Sequence, residues 1–477
     1  MRTFRLTDEA FAALAAGRPS PATVEDLRRS QISRHLLLLT ETLKNPTIKI
    51  PIWYAGARAD ALADPLLALH TAATLAALRT GADLPPDPVA SARHLTATHD
   101  GLTLRVRLED TDPLRSRLGL TPSRQLTDAE AARWQRLFAG AWRILVTRHR
   151  PAAEILAAVV RVIVPIEPDP GAAGLSATSS EAFGAVALSP PADATSFAVG
   201  LIHETQHSLL NATRTLFDLV GTGAPATYSP WREDPRPPFG LLHGAYAYLA
   251  VTRFWRAEAG PLARFEFARW RAAVAGAADA LLADGSLTPA GVRFVEAMRD
   301  EAGGWLGEPV DADVARLAEG ANLEHRVRWR LRNLSVDVGG LVADWEAGRP
   351  ARLPEPTLRS GGGRALERST RLDLVHRALR ERERDQGLPP AGRQRPGDDA
   401  YLRGESGAAL DAYVKGLEKP GHDAAEAELW AGVALVGPWE CVRQRPEAVR
   451  DMHGYFRTIP VAIVAEWLEG SLKSPPA

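Results

Sequence analysis

The stretch from Val199 to Ala212, VGLIHETQHSLLNA, carries His203-Glu204-x-x-His207. On an α-helix, residues four apart lie one turn above each other on one face, so both imidazoles can reach a single divalent metal ion. A glutamate beside the first histidine can polarise a water or orient a ligand. The flanks favour a helix. Leu201, Ile202, Leu209 and Leu210 are apolar, and neither Pro nor Gly falls between Leu201 and Thr215. The bland alternative is a helix with two solvated or core-satisfied histidines; the apolar helix around the pair and a plausible third ligand downstream argue for the metal instead.

Two imidazoles are too few for a stable centre, so the third ligand decides the class. The metzincin pattern would place Gly at 210 and His at 213; Leu210 and Thr213 stand there and exclude it. A glutamate on a following helix is the gluzincin solution, and Glu233 is the acid to consider. His243 is the better candidate, because Gly244, Ala245 and Ala247 permit close helix packing around it. Glu204 projects about 100° from His203 on a helical wheel, so it is expected to orient a ligand or a water rather than join the ligand face.

The elements around this helix read as follows. Residues 5–80 are expected to be helical, with Leu27 to Leu43 at helical spacing. Leu102, Leu104, Val106 and Leu108 alternate, which predicts a short strand or hairpin. Thr127 to Arg148 returns to helix, and His149 at its end is expected to be a cation at a helix C-terminus, not a ligand. VVRVIVPI (Val159 to Ile166) predicts a buried strand, and Ser176 to Ser189 a second one, placing a small sheet or hairpin just before the metal helix. An edge strand there could bind extended peptide by strand addition. Gly221 to Phe239 is a Gly/Pro-rich loop whose Trp231, Arg232, Glu233, Asp234 and Arg236 suggest order and function. Gly240 to Ala257 is again helical. The arginines at 326, 328, 330 and 332 are expected to flank a core of Val327, Leu331 and Leu334 rather than bind an acidic partner.

Composition sets the outer bounds. The 477 residues are too many for one core. With 45% hydrophobic and 24% charged residues and a formal net charge of −1, nothing recruits nucleic acid or an anionic membrane. Cys441 is the only cysteine, which fits a reducing cytoplasm. The N-terminus MRTFRLTDEAFAALAAG has Asp8 and Glu9 where a signal peptide would have its apolar core, and no apolar run reaches membrane-spanning length.

Five collinear stretches narrow the reading: AALAAG…LRRSQISRHLLLL, SATSSEAFGAVALS, LIHETQH, SPWREDPRPPFGLLHGAYAYLAVTRFW and RVRWRLRNL. Together, over roughly residues 5–350, they resemble the α-ketoglutarate-dependent HExxH-type peptide β-hydroxylases, tailoring enzymes of ribosomally made, post-translationally modified bacterial peptides. The resemblance implies a mononuclear Fe(II) centre held by His203, His207 and His243, with α-ketoglutarate and O₂ in its open positions and a precursor peptide as substrate. A three-histidine set departs from the commoner two-histidine, one-carboxylate triad, which leaves room for Glu204 or Glu233 near the metal. The distal carboxylate of α-ketoglutarate needs a cation, and an arginine fork grips it best. Arg236, then Arg232, in the loop before His243 are the preferred choices, with Arg253 on the His243 helix as a third. The plainer role for the first two is ion pairing with Glu233 and Asp234. Tyr246 and Tyr248 are either core or substrate contacts.

The expectation is therefore a cytoplasmic, mainly helical α+β enzyme with a zincin-like metal helix. It divides into a helical region (1–150), a metal-binding catalytic region (151–348), a linker (349–399) and a tetratricopeptide-like module (400–477). In the module, Ala408, Leu410, Tyr413, Leu417, Trp430 and Leu435 fit a helix-hairpin pattern. The expected activity is Fe(II)/α-ketoglutarate-dependent hydroxylation of a side-chain β-carbon. The rival is a zinc metallopeptidase using Glu204 as general base, and a third class is a binding protein with a closed four-ligand structural metal site.

Overall fold

The computed structural model describes residues 4–45, 48, 59–169, 171, 174–359, 361–362, 369–383, 395–418 and 423–472. The chain forms two compact units. The first comprises Met1–Pro225, Pro238–Glu258 and Trp270–Gly307; the second comprises Ala226–Pro237, Ala259–Arg269 and Glu308–Ala477.

The first unit is built on a small sheet. Its elements include α1 (Asp8–Ala15), α2 (Pro21–Thr42), α3 (Pro65–Thr80), β1 (His94–His99), β2 (Leu102–Leu108), α4 (Asp128–Arg148), α5 (Arg150–Val159), β3 (Val162–Pro165), β4 (Ser176–Ala177), β5 (Ala185–Leu188), α6 (Ala194–Arg214) and α7 (Pro238–Ala257). The strand order is β1-β2-β3-β5-β4. The hairpin expected at Leu102–Leu108 is present, with Leu104, Val106 and Leu108 buried. Its two-residue turn is Asp100-Gly101, both at positive φ (41° and 72°), the conformation whose twist matches the flanking strands.

β3 pairs in parallel with β2 and β5; β3 and β5 are buried and apolar on both faces, as covered parallel strands must be, whereas β2 alternates, with Thr103 and Arg105 exposed. Ile163, Val186 and Leu188 pack against Trp134, Phe138 and Trp142 of α4 and Phe197 and Leu201 of α6. Val162, Val164, Ala185 and Ala187 face Leu66 and Leu69 of α3. The single strand expected over Ser176–Ser189 is instead two. β4 and β5 run antiparallel, with Ser176 opposite Leu188, because the Ser-Ser-Glu-Ala-Phe-Gly segment turns and Gly184 takes φ 90°.

Among its described residues the second unit is mainly helical, with a two-stranded pairing of Leu334–Ser335 with Thr357–Leu358. Its core joins Val327 and Leu331 with Leu379, Trp430, Val433, Val464 and Leu468. Within the segment read as a linker lie a helix at Thr370–Glu383, which buries Arg371, Val375 and Leu379, and another at Pro396–Leu402; residues 363–368 and 384–394 of that segment fall outside the described residues. Arg328 is buried, Arg330 grips Glu447 and Arg332 grips Glu233. These arginines are internal ion-pairing groups. No helix among the described residues is long and apolar enough to cross a membrane.

Candidate metal centre

The metal helix α6 starts at a reciprocal cap. Asp193 accepts from the Ser196 amide (2.7 Å), while the Ser196 hydroxyl accepts from the Asp193 amide (3.1 Å). Such a box satisfies amides that the first helical turn leaves open. From Glu204 to Thr213 every residue is buried, so the polar residues of this stretch face protein, not water.

The ligand atoms of His203, Glu204 and His207 all lie within 4.8 Å of one another. The two imidazoles meet edge to face at 4.5 Å, and Glu204 Oε1 stands 3.8 Å from His203 Nε2. Glu204, expected to orient a ligand or a water, thus has its carboxyl beside the imidazoles, where it can do so or share the metal. His243, on α7, stacks on His207 with ring centres 3.7 Å apart and planes 6° from parallel. Parallel rings do not aim their lone pairs at one point, so His243 packs on the donor set in this arrangement rather than completing it. Glu233, the alternative acid, is fully buried and ion-paired with Arg332 at 3.0 Å in the second unit.

Burial sets the protonation of the group. A side-chain exposure of 19% leaves one edge of His203 open, yet its packed surroundings still push its pKa down to about 4. His207 is lowered further, by burial first and then by the neighbouring His243 and His203. Both are therefore neutral at pH 7, the form that binds metal. Burial drives the Glu204 carboxyl up to about 8, against the opposing hydroxyls of Ser176 in β4 and Thr178 just after it. Four buried polar atoms on this one helix lack a hydrogen-bond partner: Glu204 Oε2, Gln206 Oε1, His207 Nδ1 and Ser208 Oγ. Each unmatched group costs about 1–3 kcal/mol. Buried neutral imidazoles beside an unmatched carboxyl are a donor set that fits a divalent metal.

The arginines expected to hold a distal carboxylate are committed elsewhere. Arg232 and Arg236 both bind Asp234, at 2.8 and 3.3 Å, and the Thr227–Arg236 bridge closes their loop within the second unit. Arg253 donates to the carbonyls of Gly17 (2.9 Å) and Ala16 (2.6 Å) and pairs with Glu301, fixing the end of α1. Tyr246 donates to the Leu14 carbonyl at 2.6 Å and is core. Tyr248 meets His203 edge-on at 5.2 Å. His149 is no ligand; it bonds Glu258 at 2.6 Å and stacks on Phe254.

Sequence reasoning missed two neighbours of the centre. Phe239, at the start of α7, lies 5.6 Å from the His243 ring, and the Arg214 guanidinium sits 4.2 Å over Phe239. The available signal was spacing, since Arg214 follows His207 by seven residues, two helical turns along one face. No protein-family model matches this chain and no curated protein matches it.

Proposed function

We propose that this chain is an Fe(II)- and α-ketoglutarate-dependent hydroxylase of a side-chain β-carbon in a ribosomally made precursor peptide. The observation that carries the reading is the cluster of two imidazoles and one carboxylate on a single buried helical turn, the donor chemistry that suits non-haem iron with open positions. His203 and His207 hold the metal. Glu204 either joins them or orients a ligand, and His243 buttresses His207. When bound, iron and α-ketoglutarate supply oxidation by O₂, with one oxygen atom entering the succinate formed and the other the peptide, and with loss of CO₂.

The sheet supports a peptide substrate. β4 is an edge strand, and its hydroxyl-bearing neighbours Ser176 and Thr178 oppose the rise of the Glu204 pKa. The opposite edge is closed. There the Gln135 side chain accepts from the Thr96 amide (3.0 Å) and donates to its carbonyl (2.8 Å). An extended peptide adding to β4 would lie along the metal helix, a zincin-like arrangement. The helices at Ser406–Leu417 and Asp423–Val436 pack together and suit a tetratricopeptide-like accessory module.

One observation favours a second reading. A buried carboxyl within 3.8 Å of His203 also suits the general base of a zinc metallopeptidase. Succinate release separates the two. Fe(II)-loaded protein with α-ketoglutarate and a peptide should give O₂-dependent succinate and a peptide heavier by one oxygen, both lost in His203→Ala. Zinc-dependent peptide cleavage without succinate, lost in Glu204→Gln, would make it a peptidase.

A further inference from the structure

Arg214 closes the metal helix, and it is the cation that the centre leaves unspent. It follows His207 by seven residues, which places it about 10 Å along the axis and about 20° from the same face. Long helical side chains lean back toward the N-terminus, a direction in which its guanidinium can reach toward the histidine turn. Its one recorded contact among the described residues is the Phe239 ring at 4.2 Å; no carboxylate, carbonyl or hydroxyl engages it. Phe239 in turn abuts His243, which stacks on His207. A continuous series of ring contacts, Phe239 tilted against His243 and His243 stacked on His207, thus runs from an exposed arginine to the donor set, entirely within the first unit. The ring beneath the guanidinium restrains its plane while leaving all five N–H donors available to a planar anion.

We propose that Arg214 binds the distal carboxylate of α-ketoglutarate, in the role that the family resemblance suggested for Arg236, Arg232 or Arg253. The inference rests on the hydroxylase reading. A five-carbon dicarboxylate with its 2-oxo acid end at the histidines extends along the helix toward Arg214, and Phe239 supplies an apolar wall beside its methylenes. A carboxylate of the peptide substrate would meet the same fork, and the test separates the two sources.

α-Ketoglutarate is titrated calorimetrically into metal-loaded protein without O₂, and its KM is measured by succinate release. 2-Oxobutyrate, which lacks the distal carboxylate, is the control ligand. A charged hydrogen-bond pair is worth about 1.5–3 kcal/mol, or about 10- to 100-fold in affinity. Arg214→Ala should raise both Kd and KM for α-ketoglutarate by that factor, leave 2-oxobutyrate binding and metal content unchanged, and place the loss in KM rather than kcat. Arg214→Lys should recover part of it. Unchanged α-ketoglutarate affinity in Arg214→Ala overturns the proposal, as does a rise confined to the peptide KM. If the unaltered protein neither binds α-ketoglutarate nor releases succinate, the hydroxylase reading itself fails; if it does both and Arg214→Ala matches it, only the assignment of Arg214 fails.

Discussion

Each unit buries a cluster of titratable groups, and the two clusters are finished differently. In the second unit Arg371, 2% exposed, lies between Glu324 (3.0 Å) and Asp398 (2.8 Å), and Tyr413 donates to Asp398 at 2.9 Å. Burial alone would weaken the guanidinium's hold on its proton; the two carboxylates reverse that and keep it above its ordinary value. In the first unit, His203, Glu204 and His207 have no countercharge, and burial instead drives each toward its neutral form. Matched charges secure packing. Strongly shifted titratable groups clustered without a countercharge are what marks the first cluster as a candidate functional site.

The largest expected effect comes from unmatching the matched cluster. Arg371→Met leaves Glu324 and Asp398 buried against each other and should destabilise the protein by about 3–5 kcal/mol in denaturant unfolding. A loss below about 1 kcal/mol would show that the network is not structural. Tyr413→Phe removes one bond to a buried carboxylate, with an expected loss of about 1.5–3 kcal/mol in the same assay.

The metal-free centre should respond to pH in the opposite sense from a salt bridge. Folded Glu204 keeps its proton to about pH 8, whereas the unfolded chain releases it near 4.5. The folded state binds more protons in that window, so stability falls as pH rises through it, by at most about 1.4 kcal/mol per pH unit. His203, lowered from 6.5 to about 4, contributes stability that is full above pH 6.5 and lost as pH falls toward 4. Between pH 6.5 and 8 the Glu204 slope therefore stands alone. Glu204→Gln should flatten it in urea melts of chelator-treated protein, and an unchanged slope would place the carboxyl in a solvated setting. The smallest effect is Ser208→Ala. Removing a hydroxyl without a partner should be neutral or stabilise by about 0.5 kcal/mol, since Ala also suits helix better. Destabilisation beyond 1 kcal/mol, read as a shift in the thermal midpoint, would break the contrast between the clusters.

Local chemistry made much of this molecule legible in sequence. His203 and His207 sit four apart in a stretch free of helix breakers, and helical geometry alone forces them onto one face. Leu104, Val106 and Leu108 alternate, and a strand must bury such a set together. The Asp100-Gly101 turn was also written in the chain. The fates of the longer polar side chains were not, because they depend on which acid or carbonyl the fold brings near. The family resemblance nominated Arg232, Arg236 and Arg253; Asp234 took the first two, and the carbonyls of Ala16 and Gly17, more than two hundred residues away in sequence, took the third. Tertiary packing likewise set the Glu204 carboxyl beside the histidines, laid His243 flat on His207 and folded Ser176–Leu188 into two strands. Periodicity fixes which face of an element a residue occupies, while partner choice is a contest among distant groups that only the folded chain resolves.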